Sequence, residues 1–207
     1  MEGRNEIRRG YDELAETYAA RRSESEREGA ILDEFLDSLS DPVRVLDAGC
    51  GQGTPALRRL CEETTAVGLD ISRQQLEITA ETVPAARVVH GDVTRLPFRN
   101  GAFDAVTAFN SLIHVPLSDH QRVVDEFARV LRPGGSVLLS EASDELERTN
   151  RDWLDGGVSM RWTMAGAEAT REQLREAGFR IVNEWDAPGA SAEDGPKPPF
   201  FHAQLSA

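Results

Sequence analysis

Lysine is nearly missing from this chain. Of 23 basic residues only Lys197 is a lysine, against 36 Asp and Glu, which leaves a formal net charge of −13. A field of that sign repels phosphate backbones and anionic headgroups, so neither nucleic acid nor a membrane surface is expected as a partner. The acidic, lysine-poor composition matches a protein that folds where high ionic strength screens its self-repulsion. A high-GC coding sequence accounts for the arginine bias equally well. Long apolar runs are absent too: no segment approaches the ~20 residues needed to cross a bilayer. The start, Met1-Glu-Gly-Arg-Asn-Glu, lacks the apolar core of an export signal, which points to the cytoplasm. There are two cysteines, Cys50 and Cys61, and the first lies inside a glycine-rich loop. A disulfide there would obstruct the loop, so two free thiols in a reducing compartment are expected. What remains, 207 residues with 40% hydrophobic content, suits one domain built on a doubly covered sheet.

The most informative stretch runs from Val43 to Thr54, Val-Arg-Val-Leu-Asp-Ala-Gly-Cys-Gly-Gln-Gly-Thr. It reads as a short buried strand, Val43–Leu46, entering a turn of alternating glycines, Gly49, Gly51 and Gly53, with a helix from Pro55 to about Glu62. Glycine permits a tight turn and close approach of backbone to ligand. The loop N–H groups and the helix N-terminus would then face an anionic ligand group, with Pro55 in the first turn. Together they predict a nucleotide-cofactor site. Gly51-Gln-Gly53-Thr-Pro-Ala56 formally satisfies the dinucleotide pattern G-x-G-x-x-G/A, with Asp70 at the distance of a ribose contact. Asp47 argues for another ligand. A pyrophosphate gains nothing from a carboxylate beside the loop, whereas S-adenosylmethionine carries an ammonium and a sulfonium that a carboxylate can hold, directly or through water. A nicotinamide-dependent oxidoreductase is the alternative.

Further segments follow in order. Leu46-Asp-Ala-Gly-Cys-Gly-Gln-Gly53, Gly68-Leu-Asp-Ile-Ser72, Gly91-Asp-Val-Thr-Arg-Leu-Pro-Phe98, Phe103-Asp-Ala-Val-Thr-Ala-Phe-Asn110 and Arg129-Val-Leu-Arg-Pro-Gly-Gly135 resemble the ordered motifs of class I S-adenosylmethionine-dependent methyltransferases, of the small-molecule, quinone-biosynthesis-like type. The resemblance covers residues 43 to 141. It implies a donor site built from Asp47, Ala48, Gly49, Cys50, Gly51 and Gly53. Asp70 would hold both ribose hydroxyls, Ile71 would lie against the adenine, and Asp92, between Gly91 and Val93, would take the adenine amino group; Asn110 and Ser111 would close the site after the fourth strand.

The implied fold is α/β, a Rossmann-like doubly wound sheet of seven strands, mostly parallel with an antiparallel last strand. Alternating strand and helix patterns agree. The strands are expected at Val43–Leu46, Ala66–Leu69, Arg87–His90, Phe103–Ala108, Ser136–Ser140, Phe179–Glu184 and Phe200–Leu205, with Ala187–Pro199 looping between the last two. Capping boxes at Ser72/Gln75, Ser118/Gln121 and Thr170/Gln173 mark helix starts, and Gly178 a helix end. One domain results: a helical lid over 1–39, expected as a pair of helices, a cofactor core over 43–141, an insert over 144–163, and a terminal helix and β-hairpin over 170–207.

The flanks carry the acceptor side. Tyr11-Asp-Glu-Leu-Ala-Glu-Thr-Tyr18 resembles the lid helix of small-molecule methyltransferases, with Tyr11, Leu14, Ala15 and Tyr18 on one face. Leu14 and Ala15 are expected to pack on the body, Tyr11 and Tyr18 to cover the cofactor; Arg22, one turn beyond Tyr18, either reaches the methionine carboxylate or, as favoured here, is an ordinary surface arginine. Asn110-Ser-Leu-Ile-His-Val-Pro116 stands where DNA amino-methyltransferases carry an N/D-P-P-Y/F motif, which this chain lacks. His114 is the candidate general base, with an unperturbed pKa of ~6.5, or else a packing residue. His90, His120 and His202 read as structural, the last on a sheet surface. Arg161 and Trp162, in Val158-Ser-Met-Arg-Trp-Thr-Met164, either wall an acceptor pocket, Arg161 anchoring an anionic or carbonyl group, or simply pack the insert. The expected activity is methyl transfer to an oxygen, nitrogen or carbon of a small-molecule acceptor. A non-catalytic donor-binding or scaffolding subunit is the other reading. No metal site and no oligomeric state are read from the chain.

The charge makes a direct prediction. Thermal midpoints measured across a KCl series should rise as salt screens the −13 surface, most steeply at low ionic strength. A flat or falling series would remove the high-salt reading.

Overall fold

A computed structural model describes residues 2–22, 25–40, 43–185 and 199–206. The expected strands form a seven-stranded sheet in the order β3-β2-β1-β4-β5-β9-β8. These are β1 (Arg44–Ala48), β2 (Thr65–Asp70), β3 (Arg87–His90), β4 (Phe103–Ala108), β5 (Leu131–Ser140), β8 (Phe179–Trp185) and β9 (Phe200–Leu205). The pairs from β3 across to β5 are parallel, and β9 runs antiparallel to both β5 and β8. The chain winds outward through β1, β2 and β3, then returns to β4 beside β1. The strand order thus reverses between β1 and β4, where an open α/β sheet leaves a crevice at the carboxyl ends of its strands.

Both faces of the central strands are covered, so they read as continuous apolar runs rather than alternating ones. Leu46, Val106 and Val137 face α6 (Leu117–Val130), which contributes Val123, Val124 and Phe127. Val45, Ala105 and Leu138 face α3 (Glu26–Asp37) and α4 (Ala56–Glu63), which contribute Ile31, Phe35, Leu57 and Leu60. His202 is buried on this second face, edge-on to Phe35 with ring centroids 5.0 Å apart, so the expected sheet-surface histidine is roofed by a helix.

Helix starts differ from expectation where a neighbour sets the cap. Ser72 caps α5 (Arg73–Thr82) as expected, accepting from the Gln75 N–H at 3.2 Å. Ser118 does not: the extended Pro116 precedes Leu117, so α6 begins two residues early and Ser118 falls inside its first turn. Thr170 also lies inside its helix, because Gly166, at φ +82°, starts α7 (Ala167–Glu176) a turn earlier; the Thr170 hydroxyl donates back to the Gly166 carbonyl at 2.8 Å. Pro55 stands at the cap of α4 rather than in its first turn. Gly178 ends α7 at φ +90°, as expected. The loop expected at Ala187–Pro199 lies, up to residue 198, outside the described residues.

The N-terminal pair of helices is three: α1 (Glu2–Glu13), α2 (Ala15–Arg21) and α3. Only α3 packs into the sheet core; α1 and α2 form the lid. The insert is a β-hairpin, β6 (Leu146–Trp153) and β7 (Val158–Met164), in a sheet of its own. Its pattern resisted reading because β6 is exposed along most of its length and shows no alternation. The hairpin packs on the lid through a third apolar cluster, Ile7, Trp153 and Met160, with Tyr11, Leu14, Tyr18 and Trp162 around it. Gly156, in the hairpin turn, takes Leu14 so closely that a Cβ there would lie 2.5 Å from the leucine side chain.

The two-faced core predicts a contrast. Phe127→Ala, fully buried, should lower the unfolding free energy in urea by about 3–5 kcal/mol. Leu146→Ala, 46% exposed on β6, should change it by less than ~0.5 kcal/mol. Equal losses would contradict this placement of the core.

Candidate active site

A cleft opens at the β1/β4 reversal, lined by the glycine turn, the ends of β1 and β2, the lid and the segment after β4. The glycine turn forms its floor. Gly49, at φ +84°, lies so close to Ser111 that a Cβ would fall 2.3 Å from the serine Cβ; only glycine fits. Four of the turn's N–H groups are engaged within the protein rather than left open to the cleft. Those of Gly49 and Cys50 donate to the Leu69 carbonyl at 2.7 and 3.0 Å, that of Gly53 to Cys50, and that of Gly51 to Asp70 Oδ2 at 2.9 Å. The turn is stitched to β2, and side chains add polarity to the cleft.

Two carboxylates supply it. Asp47, at the end of β1, is 2% exposed and accepts from the Thr107 hydroxyl at 2.8 Å. Burial pushes its pKa up to about 7, the Thr107 bond opposes the rise, and the nearby Asp70 adds to it. Such a carboxyl is held ionised by a cation in the cleft and pushed further towards protonation by an anion. That is the chemistry of an ammonium- and sulfonium-bearing ligand, and the opposite of a pyrophosphate site. Asp70 ends β2 and accepts from the N–H groups of Gly51 and Ser72, one on each oxygen. Burial raises its pKa as well. A carboxylate has about four lone-pair positions, so capacity remains for two hydroxyls.

Of the other expected cofactor residues, Tyr18, Cys50, Ile71, Asp92, Val93, Asn110 and Ser111 line the cleft. Asp92 Oδ1 accepts from the Thr94 N–H and hydroxyl, both at 2.8 Å. Asn110 holds a left-handed φ of +54°, a strain found at sites where a side chain must be re-aimed, and its N–H donates to the Ser140 hydroxyl. Ala48, Gly53 and Gly91 do not reach the cleft wall. Ala48 is buried in the sheet core, Gly53 receives Thr79 of α5, and Gly91 receives Leu69, so these small residues shape the site from behind. Cys50 and Cys61 are both free thiols.

Several wall residues escaped the sequence reading. Gln75 is fully buried with neither amide atom hydrogen-bonded, and Gln52 Oε1 and Ser111 Oγ are likewise buried without partners; all three residues line the cleft. Each such orphan costs about 1–3 kcal/mol, so the cleft is built for a polar occupant, and S-adenosylmethionine fits that donor set. Gln75 was absorbed into a capping box, although it lies one turn from Ser72 on the side facing Gly51. Ile7 extends the Tyr11, Leu14, Ala15 and Tyr18 face back by one turn. Arg22, favoured from sequence as a surface arginine over a donor contact, lines the cleft and donates to the Tyr18 hydroxyl at 3.0 Å.

His114 sits in the 3₁₀ turn Leu112–His114, between lid and hairpin. Its Nδ1 lies 2.9 Å from the Arg161 carbonyl, which can only accept, so Nδ1 carries the proton and Nε2 accepts from the Tyr11 hydroxyl at 2.8 Å. Burial lowers the His114 pKa to about 4, far below the value expected from sequence. Tyr11 stands edge-on to Tyr18, His114 and Trp153, at 5.1–5.3 Å from the first of these and the last. The Arg161 guanidinium is paired with Glu147 on the exposed hairpin face, while its backbone carbonyl meets His114 Nδ1. Trp162 lies against the His114 ring at 5.8 Å but outside the cleft wall. Among the described residues no cluster of His, Cys, Asp and Glu is arranged to hold a metal ion, and no helix is long and apolar enough to cross a membrane.

Residues 45–135 match the family model described as a methyltransferase domain. Over 86% of its length the chain is 32% identical to the 27-O-demethylrifamycin SV methyltransferase of Amycolatopsis mediterranei, and over 66% it is 32% identical to the demethylmenaquinone methyltransferase of Bacillus licheniformis. It spans 67% of the first relative and 60% of the second. Among solved structures it resembles the [4+2]-cyclase SpnF, with a TM-score of 0.75, 22% identity, and coverage of 97% of this chain and 95% of that one, a likeness of fold alone. Strand order, paired carboxylates and relatives agree: the chain belongs to the class I S-adenosylmethionine-dependent methyltransferases, whose cofactor is S-adenosylmethionine.

Proposed function

We propose that this protein methylates a hydroxyl group of a small, largely apolar acceptor. The observation that carries the reading is Asp47, a buried carboxylate poised near neutrality beside the glycine turn, which a cationic donor would hold ionised. The bound donor supplies a methyl group on an electrophilic sulfonium. Asp47 holds the donor's ammonium, Asp70 its ribose and Asp92 its adenine amino group; Ile71 and Val93 wall the adenine, and Asn110 and Ser111 close the methionine end. Ile7, Phe109 and Val115 leave the acceptor side of the cleft apolar. Alignment and exclusion of water then account for most of the acceleration.

The acceptor proton is handled by Tyr11 and His114. As a hydroxyl acceptor loses its proton, the Tyr11 oxygen receives it while the Tyr11 proton passes to His114 Nε2. The Arg161 carbonyl holds Nδ1–H throughout, so the imidazolium forms in a fixed orientation. A histidine with a pKa of about 4 is a weak base at rest, which suits an acceptor that becomes acidic only as its new bond to carbon forms. The relative that acts on 27-O-demethylrifamycin SV supports an oxygen acceptor. The −13 charge supports a partner other than nucleic acid or membrane, and the free thiols support a cytoplasmic setting. A donor-binding subunit without methyl transfer is the competing reading. Release of S-adenosylhomocysteine on incubation with hydroxylated acceptors separates the two.

Donor affinity should depend on pH. Below a pH of about 7 Asp47 is protonated in the empty cleft, so calorimetric S-adenosylmethionine affinity should rise by up to ~tenfold per unit towards 7 and level off above it. Asp47→Asn should weaken binding and flatten that dependence; an unchanged slope would remove Asp47 from the donor site.

With a competent acceptor, His114→Ala should cut turnover by ~10²–10⁴ with donor affinity little changed. Wild-type kcat/KM should show no ionisation of His114 between pH 6 and 8, with its loss confined to pH values near 4. A turnover step near pH 6.5 that His114→Ala abolishes would contradict the buried, neutral state assigned here.

A further inference from the structure

We infer that Asp12 is a positioning residue that ties the lid to the donor-binding turn, so that filling the Asp70 site draws Tyr11 onto His114. The inference rests on the donor reading of Asp70 given above. Its basis is the way the lid is attached. α1 and α2 pack on the β6–β7 hairpin through their own apolar cluster, and Arg21 pairs with Asp155 in the hairpin turn, so lid and hairpin form one cap. Among the described residues, the polar contacts from α1 to the sheet body come from two neighbouring residues, Tyr11 to His114 and Asp12 to the start of α5.

The second contact reaches the donor turn. Asp12 Oδ1 accepts from the Ser72 hydroxyl at 2.8 Å and lies 3.4 Å from the Gln74 N–H, while Oδ2 accepts from Arg8. Ser72 is completely buried. Its hydroxyl serves Asp12 and its backbone N–H serves Asp70 Oδ1, also at 2.8 Å, so one residue gives a donor to each of two carboxylates. The charge of Asp12 adds to the effect of burial in raising the Asp70 pKa, so in the empty protein the latch holds two like charges close together. Ligand hydroxyls donating to Asp70 spread its charge and weaken that repulsion. The closed lid is then favoured by ligand through a differential interaction between the two states, which is what a coupling requires. Because Asp12 follows Tyr11 directly, seating one seats the other.

Hydrogen exchange on the full chain, with and without S-adenosylhomocysteine, tests the coupling, and calorimetry reports binding separately. In the unaltered protein the ligand should slow exchange of the amides of residues 7–13 by at least ~tenfold. Asp12→Ala should weaken ligand binding about three- to tenfold and lose most of that added protection. Asp12→Asn, which keeps an oxygen acceptor opposite Ser72 but removes the like charge, should bind ligand about as tightly as the unaltered protein and leave α1 protected with or without it. Ser72→Ala removes the same bond from the body side; it should reproduce the loss, and it serves if Asp12→Ala does not fold. Full protection in Asp12→Ala or Ser72→Ala overturns the inference. So does calorimetric binding to the unaltered protein with no slowing in α1, an outcome that leaves the donor site standing. Absence of binding to the unaltered protein overturns the donor reading and the inference with it.

Discussion

The hydrogen bond from the Gly51 N–H to Asp70 Oδ2 joins two pieces of chain that wall the candidate donor site. It spans from the turn after β1 to the end of β2, and it is reinforced where the Leu69 carbonyl receives the N–H groups of Gly49 and Cys50. A buried carboxylate is costly unless its lone pairs are used. Asp70 meets that demand with backbone donors, and in doing so fixes the turn against the sheet. Asp47 then lies across the turn with a single neutral donor, Thr107, which leaves it dependent on whatever occupies the cleft. The site is rigid on the β2 side and electrostatically open on the β1 side.

Much of this was legible in the chain. The strand from Arg87 to His90 and that from Phe103 to Ala108 begin and end at the residues read from sequence, because short apolar runs bounded by glycine, proline and aspartate admit few other assignments. The placement of Asp47 and Asp70 on the cleft, at the ends of buried strands, was legible from the short apolar runs that precede them. The hairpin was not. Glu147, Arg148, Arg151 and Asp152 make β6 look like a solvated loop, and its partnership with the lid depends on contacts distant in sequence. Ser118 and Thr170 failed as caps because Pro116 and Gly166, rather than the hydroxyl residues, decide where those helices begin.

His114 shows the limit of reasoning from residue type. An imidazole signals a proton carrier near neutral pH, yet enclosure between lid and hairpin drives its pKa to about 4 and commits both ring nitrogens to partners. Its environment comes from Tyr11, about a hundred residues before it, and from a carbonyl on the hairpin. The lid thus sets a hydroxyl against the imidazole as well as covering the cleft, and the insert fixes the ring's orientation.

The carbonyl of Arg161 carries one more consequence. The group that orients His114 belongs to the main chain, and every residue type has it. Exchanging the Arg161 side chain removes an exposed ion pair with Glu147 and leaves the imidazole where it was. A survey of single substitutions would therefore score this position as silent, and descent would leave its identity free to drift. What selection can see is the register of β6 on β7, where Thr149 stands opposite Arg161. A single-residue insertion or deletion in the hairpin would shift that carbonyl and misdirect His114 without touching any residue of the cleft.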